Sequence, residues 1–135
     1  MNLEQMSHRC PNAKVIGKGK LENYKLTFRG VYKGVANIED CKDASVPIVL
    51  WNITDECENA LDVYEGYPSL YIKREVEVIV DEQSIKAMAY IMADRYKDMA
   101  AIPTEYYFNV IVKGYEDNQI DLEPLQIAHS ECLLK

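Results

Sequence analysis

Five acids fall on one predicted helix of this chain: Asp55, Glu56, Glu58, Asp62 and Glu65, with no basic residue among them. Acids at a helix start suit the positive end of its dipole. Asp62 and Glu65 fall in the last turn, at the negative end, where a carboxylate is disfavoured by roughly 0.3–1 kcal/mol. That field, with Asp62 close by, predicts a raised pKa for Glu65. A carboxyl tuned upward can both take and give a proton near neutral pH. A solvated acid at a helix end is the plain alternative.

The segment after it is rich in tyrosine. Glu65-Gly66-Tyr67-Pro68-Ser69-Leu70-Tyr71 is a turn, and Tyr64, Tyr67 and Tyr71 surround the carboxylate in sequence. The chain holds ten tyrosines against two phenylalanines. Tyrosine lines pockets where an apolar wall needs a hydroxyl; it is also a favoured sheet residue. A second candidate is the helix at the N-terminus, whose first amides around Leu3 to Gln5 lack internal partners and can hold an anion. Nucleophilic schemes fare worse. A Cys-His pair needs Cys10, Cys41, Cys57 or Cys132 beside His8 or His129, yet Cys57 and Cys132 fall on inward helical stripes. The chain has no Gly-x-Ser-x-Gly, phosphate loop, Gly-x-Gly-x-x-Gly or His-Glu-x-x-His. It has no Cys-x-x-Cys pair either, so neither zinc nor any other metal is expected.

The elements that must position these groups follow from patterning. Asn2 to Arg9 reads as a short helix capped by Asn2, with Pro11 past its end. Ala13 to Leu21 reads as extended and broken by Gly17 and Gly19. Tyr24 to Phe28 alternates as a half-buried strand. Val35 to Ile38 reads as a short strand, and Val46 to Ile53 as a central one. Thr54 caps a helix through Glu65, with Cys57, Ala60, Leu61 and Tyr64 as its buried stripe and Gly66 as its left-handed stop. Tyr71 to Val80 and Ile85 to Ala93 form a hairpin around Asp81 to Ser84. Pro103 opens a helix at its first turn, with Tyr107, Val110, Ile111 and Gly114 inward. Asp121 caps a last helix that turns Leu122, Leu125, Ala128 and Cys132 inward. This order is an α+β pattern with a largely antiparallel sheet, open or closed into a small barrel.

Bulk properties narrow the function classes. A chain of 135 residues, 48% hydrophobic and 27% charged, is expected to form one domain over residues 1–135. Its formal net charge of −7, with scattered Lys and Arg, disfavours nucleic acid as a partner. No apolar run approaches the ~20 residues of a membrane helix. No secretory signal is visible, so the four widely spaced cysteines are expected as reduced thiols in a cytoplasmic protein.

Several motifs then occur in order: Leu50-Trp51, Leu61-Asp62-Val63-Tyr64-Glu65-Gly66, Tyr71, Ala89-Tyr90-Ile91-Met92, and Pro103-Thr104-Glu105-Tyr106 with Gly114. The set resembles the γ-glutamylcyclotransferase-like family, which includes the AIG2-like proteins, over nearly the whole chain. The resemblance implies a small mixed, largely antiparallel β-barrel flanked by helices. It implies cyclisation of a γ-glutamyl amine or γ-glutamyl amino acid to 5-oxoproline. Glu65 would be the general acid/base, Tyr71 and Tyr106 would line the substrate cavity, and Asn2 and Leu3 at the helix start would bind substrate. No cofactor is implied, and a monomer or homodimer is expected. Two departures stand out. The family's Tyr-Gly-Ser-Asn loop, which with the following helix holds the γ-glutamyl group, has no counterpart here: the chain starts where that helix starts, so either the start is placed too late or the strand and loop are gone. Pro47-Ile48 also stands where the family often has glycine. The alternatives are a non-catalytic small-molecule binding module and a scaffold whose tyrosine-rich face, around Tyr67 and Tyr71, binds protein.

Overall fold

The structure, a computed structural model, describes residues 2–96 and 98–133. Along the chain run α1 (Leu3–Arg9), β1 (Lys14–Arg29), β2 (Val35–Asn52), α2 (Asp55–Glu65), β3 (Tyr71–Val80), β4 (Gln83–Met92), a 3-10 turn (Asp94–Tyr96), α3 (Glu105–Asp117) and α4 (Glu123–Leu133). The four strands make one sheet in the order β2-β1-β3-β4, antiparallel at every step. The α+β class read from the sequence therefore stands.

Three expectations need correction. The sheet is not closed into a barrel: β2 and β4 are its outer strands and do not pair with each other. The segment 46–53 is consequently part of an edge strand, not a central one. The four separate stretches read before residue 54 are two long strands. They form one hairpin whose register slips between Val15 and Gly17 and between Glu22 and Tyr24. Such bulges bend a strand while its ladder continues. Gly19 is no break; it is where β1 crosses β3, opposite Val80. A Cβ there would lie 1.9 Å from the Ile79 carbonyl oxygen, so only glycine fits.

The β3–β4 hairpin turns through Asp81 and Glu82, both at positive φ (51° and 66°), the twist that suits a two-residue connection. Its buried valines, Val76, Val78 and Val80, join Leu21 in one core. A second core joins Phe28 of β1 to Tyr115 of α3 and to Leu125, Ala128 and Cys132 of α4. Asp121 accepts the Glu123 N–H at 2.9 Å and so starts α4, as its position predicts. At α3 the cap is Thr104, which accepts the Tyr107 N–H at 3.2 Å. Pro103 precedes the cap instead of opening the first turn.

The outer strands are strapped together at one end. There the Tyr71 hydroxyl donates to the Ala36 carbonyl at 2.5 Å, and the Met92 N–H donates to Asn37 Oδ1 at 2.9 Å. Side chains thus strap β2 to β3 and β4 where backbone pairing is missing.

Candidate active site

Glu65 closes α2. Thr54 Oγ1 starts the helix by accepting the Cys57 N–H at 3.2 Å, and Gly66 stops it at φ 68°, ψ 35°. The expected buried stripe is thinner than the periodicity suggested: Cys57 is buried, whereas Ala60 and Tyr64 are exposed. Glu65 is partly buried, and this burial raises its carboxyl pKa above the ordinary value, with the Arg9 guanidinium pulling the other way. Asp62 is not the cause. It turns onto Tyr90, whose hydroxyl donates to it at 2.5 Å, and onto Lys73 at 2.9 Å; these contacts hold its own pKa below the usual range. Arg9 is itself held in place, its guanidinium 3.2 Å from the centre of the Tyr64 ring.

Glu65 lines a cavity of about 670 Å³ together with Met6, Trp51, Tyr90, Tyr107 and Tyr115. Every residue from Val46 to Ile53 on the β2 side and from Ile85 to Met88 on β4 also lines it. One face of a strand would contribute alternate residues. The unbroken runs mean that the cavity meets the two outer edges where they diverge.

The tyrosines around it are neutral hydroxyls. Burial raises the pKa of Tyr71, Tyr90 and Tyr107, and takes Tyr115 to about 12. Tyr71 and Tyr107 converge on one residue of β2. The Tyr107 oxygen accepts the Ala36 N–H at 3.0 Å, while Tyr71 donates to the Ala36 carbonyl. The Tyr71 proton is therefore committed. The Tyr107 proton is not used in that bond.

The residues singled out from the sequence fall into two groups. Glu65 and Tyr71 lie close enough for the Glu65 charge to help raise the Tyr71 pKa, although Tyr71 itself is not among the residues that line the Glu65 cavity. Asn2 and Tyr106 share a separate cleft of about 420 Å³ between α1 and α3, which has no lining residue in common with the Glu65 cavity. Asn2 is buried: its Oδ1 accepts the Gln5 N–H at 2.9 Å and its Nδ2 donates to the Val110 carbonyl at 3.1 Å. Leu3 is 38% exposed and Tyr106 is 81% exposed.

Two cavity residues were not singled out. Tyr107 lay on the inward stripe of its helix, and that periodicity was its signal. Tyr90 sits opposite Lys73 across the β3–β4 ladder, a register that no single segment reveals. The proposed tyrosine-rich protein-binding face loses a member, because Tyr71 is buried. The four cysteines are free thiols. Among the described residues no three His, Cys, Asp or Glu side chains gather as a metal-binding group. No helix among them is long and apolar enough to cross a membrane.

The chain is similar to known proteins. A family model described as "Gamma-glutamyl cyclotransferase, AIG2-like" matches residues 1–109. A solved structure named "Gamma-glutamyl cyclotransferase" is 27% identical with a TM-score of 0.79, over 89% of this chain and 75% of its own. The uncharacterized human protein loc79017 is 28% identical with a TM-score of 0.78, over the same shares of the two chains, 89% and 75%. YkqA from Bacillus subtilis, at 19% identity and a TM-score of 0.76, shares the fold over 96% of this chain and 47% of its own. No curated protein sequence matches the chain.

Proposed function

Because the chain belongs to the gamma-glutamyl cyclotransferase, AIG2-like family, we propose that it cyclises a γ-glutamyl amine or γ-glutamyl amino acid to 5-oxoproline and releases the amine. The observation that carries this reading is Glu65, a carboxyl with a raised pKa on the wall of a mainly apolar cavity that it shares with Tyr90, Tyr107 and Tyr115.

Glu65 takes a proton from the substrate α-ammonium. The freed amine nitrogen bonds to the γ-carbonyl carbon of the same molecule, giving a tetrahedral oxyanion. The ring nitrogen gives up its second proton as the amide C–N bond breaks; Glu65 returns the first proton to the departing nitrogen, and with the second the amine leaves as its ammonium form. Nucleophile and electrophile share one molecule, so the protein has only to enforce a curled conformer and carry the proton. No cofactor enters the scheme. The Tyr107 hydroxyl, whose oxygen already accepts from Ala36, has its hydrogen available for the oxyanion. Tyr71 stands behind the wall, its hydroxyl on the carbonyl of Ala36, which lines the cavity. Asn2 and Leu3 enter through the leading amides of α1, and Tyr106 through the cleft it shares with Asn2, as an outer contact for the glutamyl group. Residues 1–135 act in this reading as one unit, a cytoplasmic monomer or homodimer with a small-molecule substrate, no nucleic acid and no membrane.

A second reading is a binding module without turnover. The unpaired edges of β2 and β4 favour it, because a cavity open along that flank admits water to the substrate. One experiment separates the two. The purified chain is incubated with a panel of γ-glutamyl amines and γ-glutamyl amino acids; 5-oxoproline and free amine are quantified, and binding is followed by calorimetry. Catalysis predicts equimolar 5-oxoproline and amine from at least one compound. Binding without either product selects the second reading.

A further inference from the structure

The helix that carries Glu65 has little apolar surface holding it down. Cys57 is its one buried residue; Val63 and Tyr64 are 84% and 58% exposed. Its first turn is tied to the end of α1, where the Cys10 thiol donates to the Cys57 carbonyl at 3.7 Å. The other ties are polar and run from the first turn to the last. Lys73 of β3 donates to Glu58 at 2.6 Å and to Asp62 at 2.9 Å. Tyr90 of β4, directly opposite Lys73 in the ladder, donates to the second oxygen of Asp62 at 2.5 Å. The Tyr67 ring, two residues beyond Glu65, lies 4.5 Å from the Lys73 ammonium. Three points on either side of Glu65 therefore converge on one lysine.

Asp62 is an odd residue for this place. A carboxylate in the last turn opposes the helix dipole, and α2 has no basic residue there. Helix stability gives no reason for it, whereas attachment to Lys73 and Tyr90 does. We propose that Lys73 and Tyr90 are positioning residues, pinning the last turn of α2 to β3 and β4 through Asp62 and so holding the Glu65 carboxyl on the cavity wall. The catalytic part of this statement rests on the function proposed above; the mechanical part does not. Around Glu65 stand Arg9 from α1, Tyr71 from β3, Tyr90 from β4 and Tyr107 from α3. The pin sets how Glu65 faces all four.

The test uses the full chain and four variants: Tyr90→Phe, Lys73→Met, Asp62→Ala and Asp62→Asn. Misplacement of a proton carrier by about an ångström can cost up to ~100-fold in rate. Tyr90→Phe and Lys73→Met are expected to lower kcat for 5-oxoproline release ~10-fold or more, with KM within about twofold. Asp62→Asn, which keeps an acceptor for the Tyr90 hydroxyl, retains more turnover than Asp62→Ala. In parallel, carboxyl NMR follows the titration of Glu65, assigned by the resonance lost in Glu65→Gln. In Tyr90→Phe the midpoint is expected to fall toward the ordinary 4.5 as the carboxyl swings into water. An unchanged midpoint overturns the proposal, and so does Tyr90→Phe turnover within twofold of wild type. If the wild-type chain releases no 5-oxoproline, the functional reading fails and the titration alone decides the pin.

Discussion

Burial of Glu65 works against the fold when the carboxyl ionises, and this has a sign that can be measured. Its folded pKa lies above the ordinary 4.5 of the unfolded chain. Stability linked to this group is therefore complete below 4.5 and is lost as pH rises through the raised folded value. Glu65→Gln stays neutral throughout. It is expected to melt above wild type near neutral pH, with the two melting temperatures converging at about pH 4, as scanning calorimetry would record. Equal melting temperatures at both pH values contradict the burial. At Tyr107 the consequence has the opposite sign. Tyr107→Phe removes the acceptor of the Ala36 N–H. Leaving such a donor unpaired costs about 1–3 kcal/mol, readable from urea unfolding, and kcat falls with it.

At the scale of elements, the stop of α2 decides where Glu65 ends up. Gly66 holds a left-handed φ of 68°, and a Cβ there would lie 3.3 Å from the Leu70 Cβ. Gly66→Ala is expected to cost about 1–2 kcal/mol in urea unfolding. Both ends of this helix were legible in the sequence, because Thr54 and Gly66 act on their immediate neighbours. The cap at Asn2 and the β3–β4 hairpin were legible for the same reason. The lengths of β1 and β2 were not. Gly17, Gly19 and the polar residues after Ile38 read as interruptions, yet the β1–β2 hairpin runs through the glycines and resumes beyond residues 41–44, which have no ladder partner on β1. Strand formation there depends on the partner, which no single segment contains. The stripe on α2 failed for a related reason: periodicity says which side chains share a face, not whether anything covers that face. Of the site, Glu65 and Tyr71 were visible through their sequence neighbours, whereas Tyr90 needed the β3–β4 register.

The whole molecule is a sheet curled until its outer strands touch at one end. Asn37 is central to that closure. Its Oδ1 takes the Met92 N–H, and its Nδ2 lies 3.5 Å from Glu39, which also accepts from Arg29 at 2.7 and 2.9 Å and from Thr27 at 3.0 Å. Burial disfavours the Glu39 charge, but the bonds from Arg29 and Thr27 prevail and lower its pKa. Its contribution is thus present above the unfolded 4.5 and lost as pH falls through the depressed folded value. Glu39→Gln is expected to lose about 1–3 kcal/mol near neutral pH, a gap that narrows in acid; a constant gap across pH contradicts the linkage. From this strap the same two strands part, and the cavity beside Glu65 lies between them, lined by Ala36, Ile38 and Val46 to Ile53 on the β2 side and by Ile85 to Met88 on β4. The account as a whole is tested most directly by comparing wild type and Glu65→Gln, both folded, for 5-oxoproline released from a γ-glutamyl compound that the wild type turns over. The expected result is steady release by wild type and none above the uncatalysed rate by the variant. Equal release by the two proteins would contradict it.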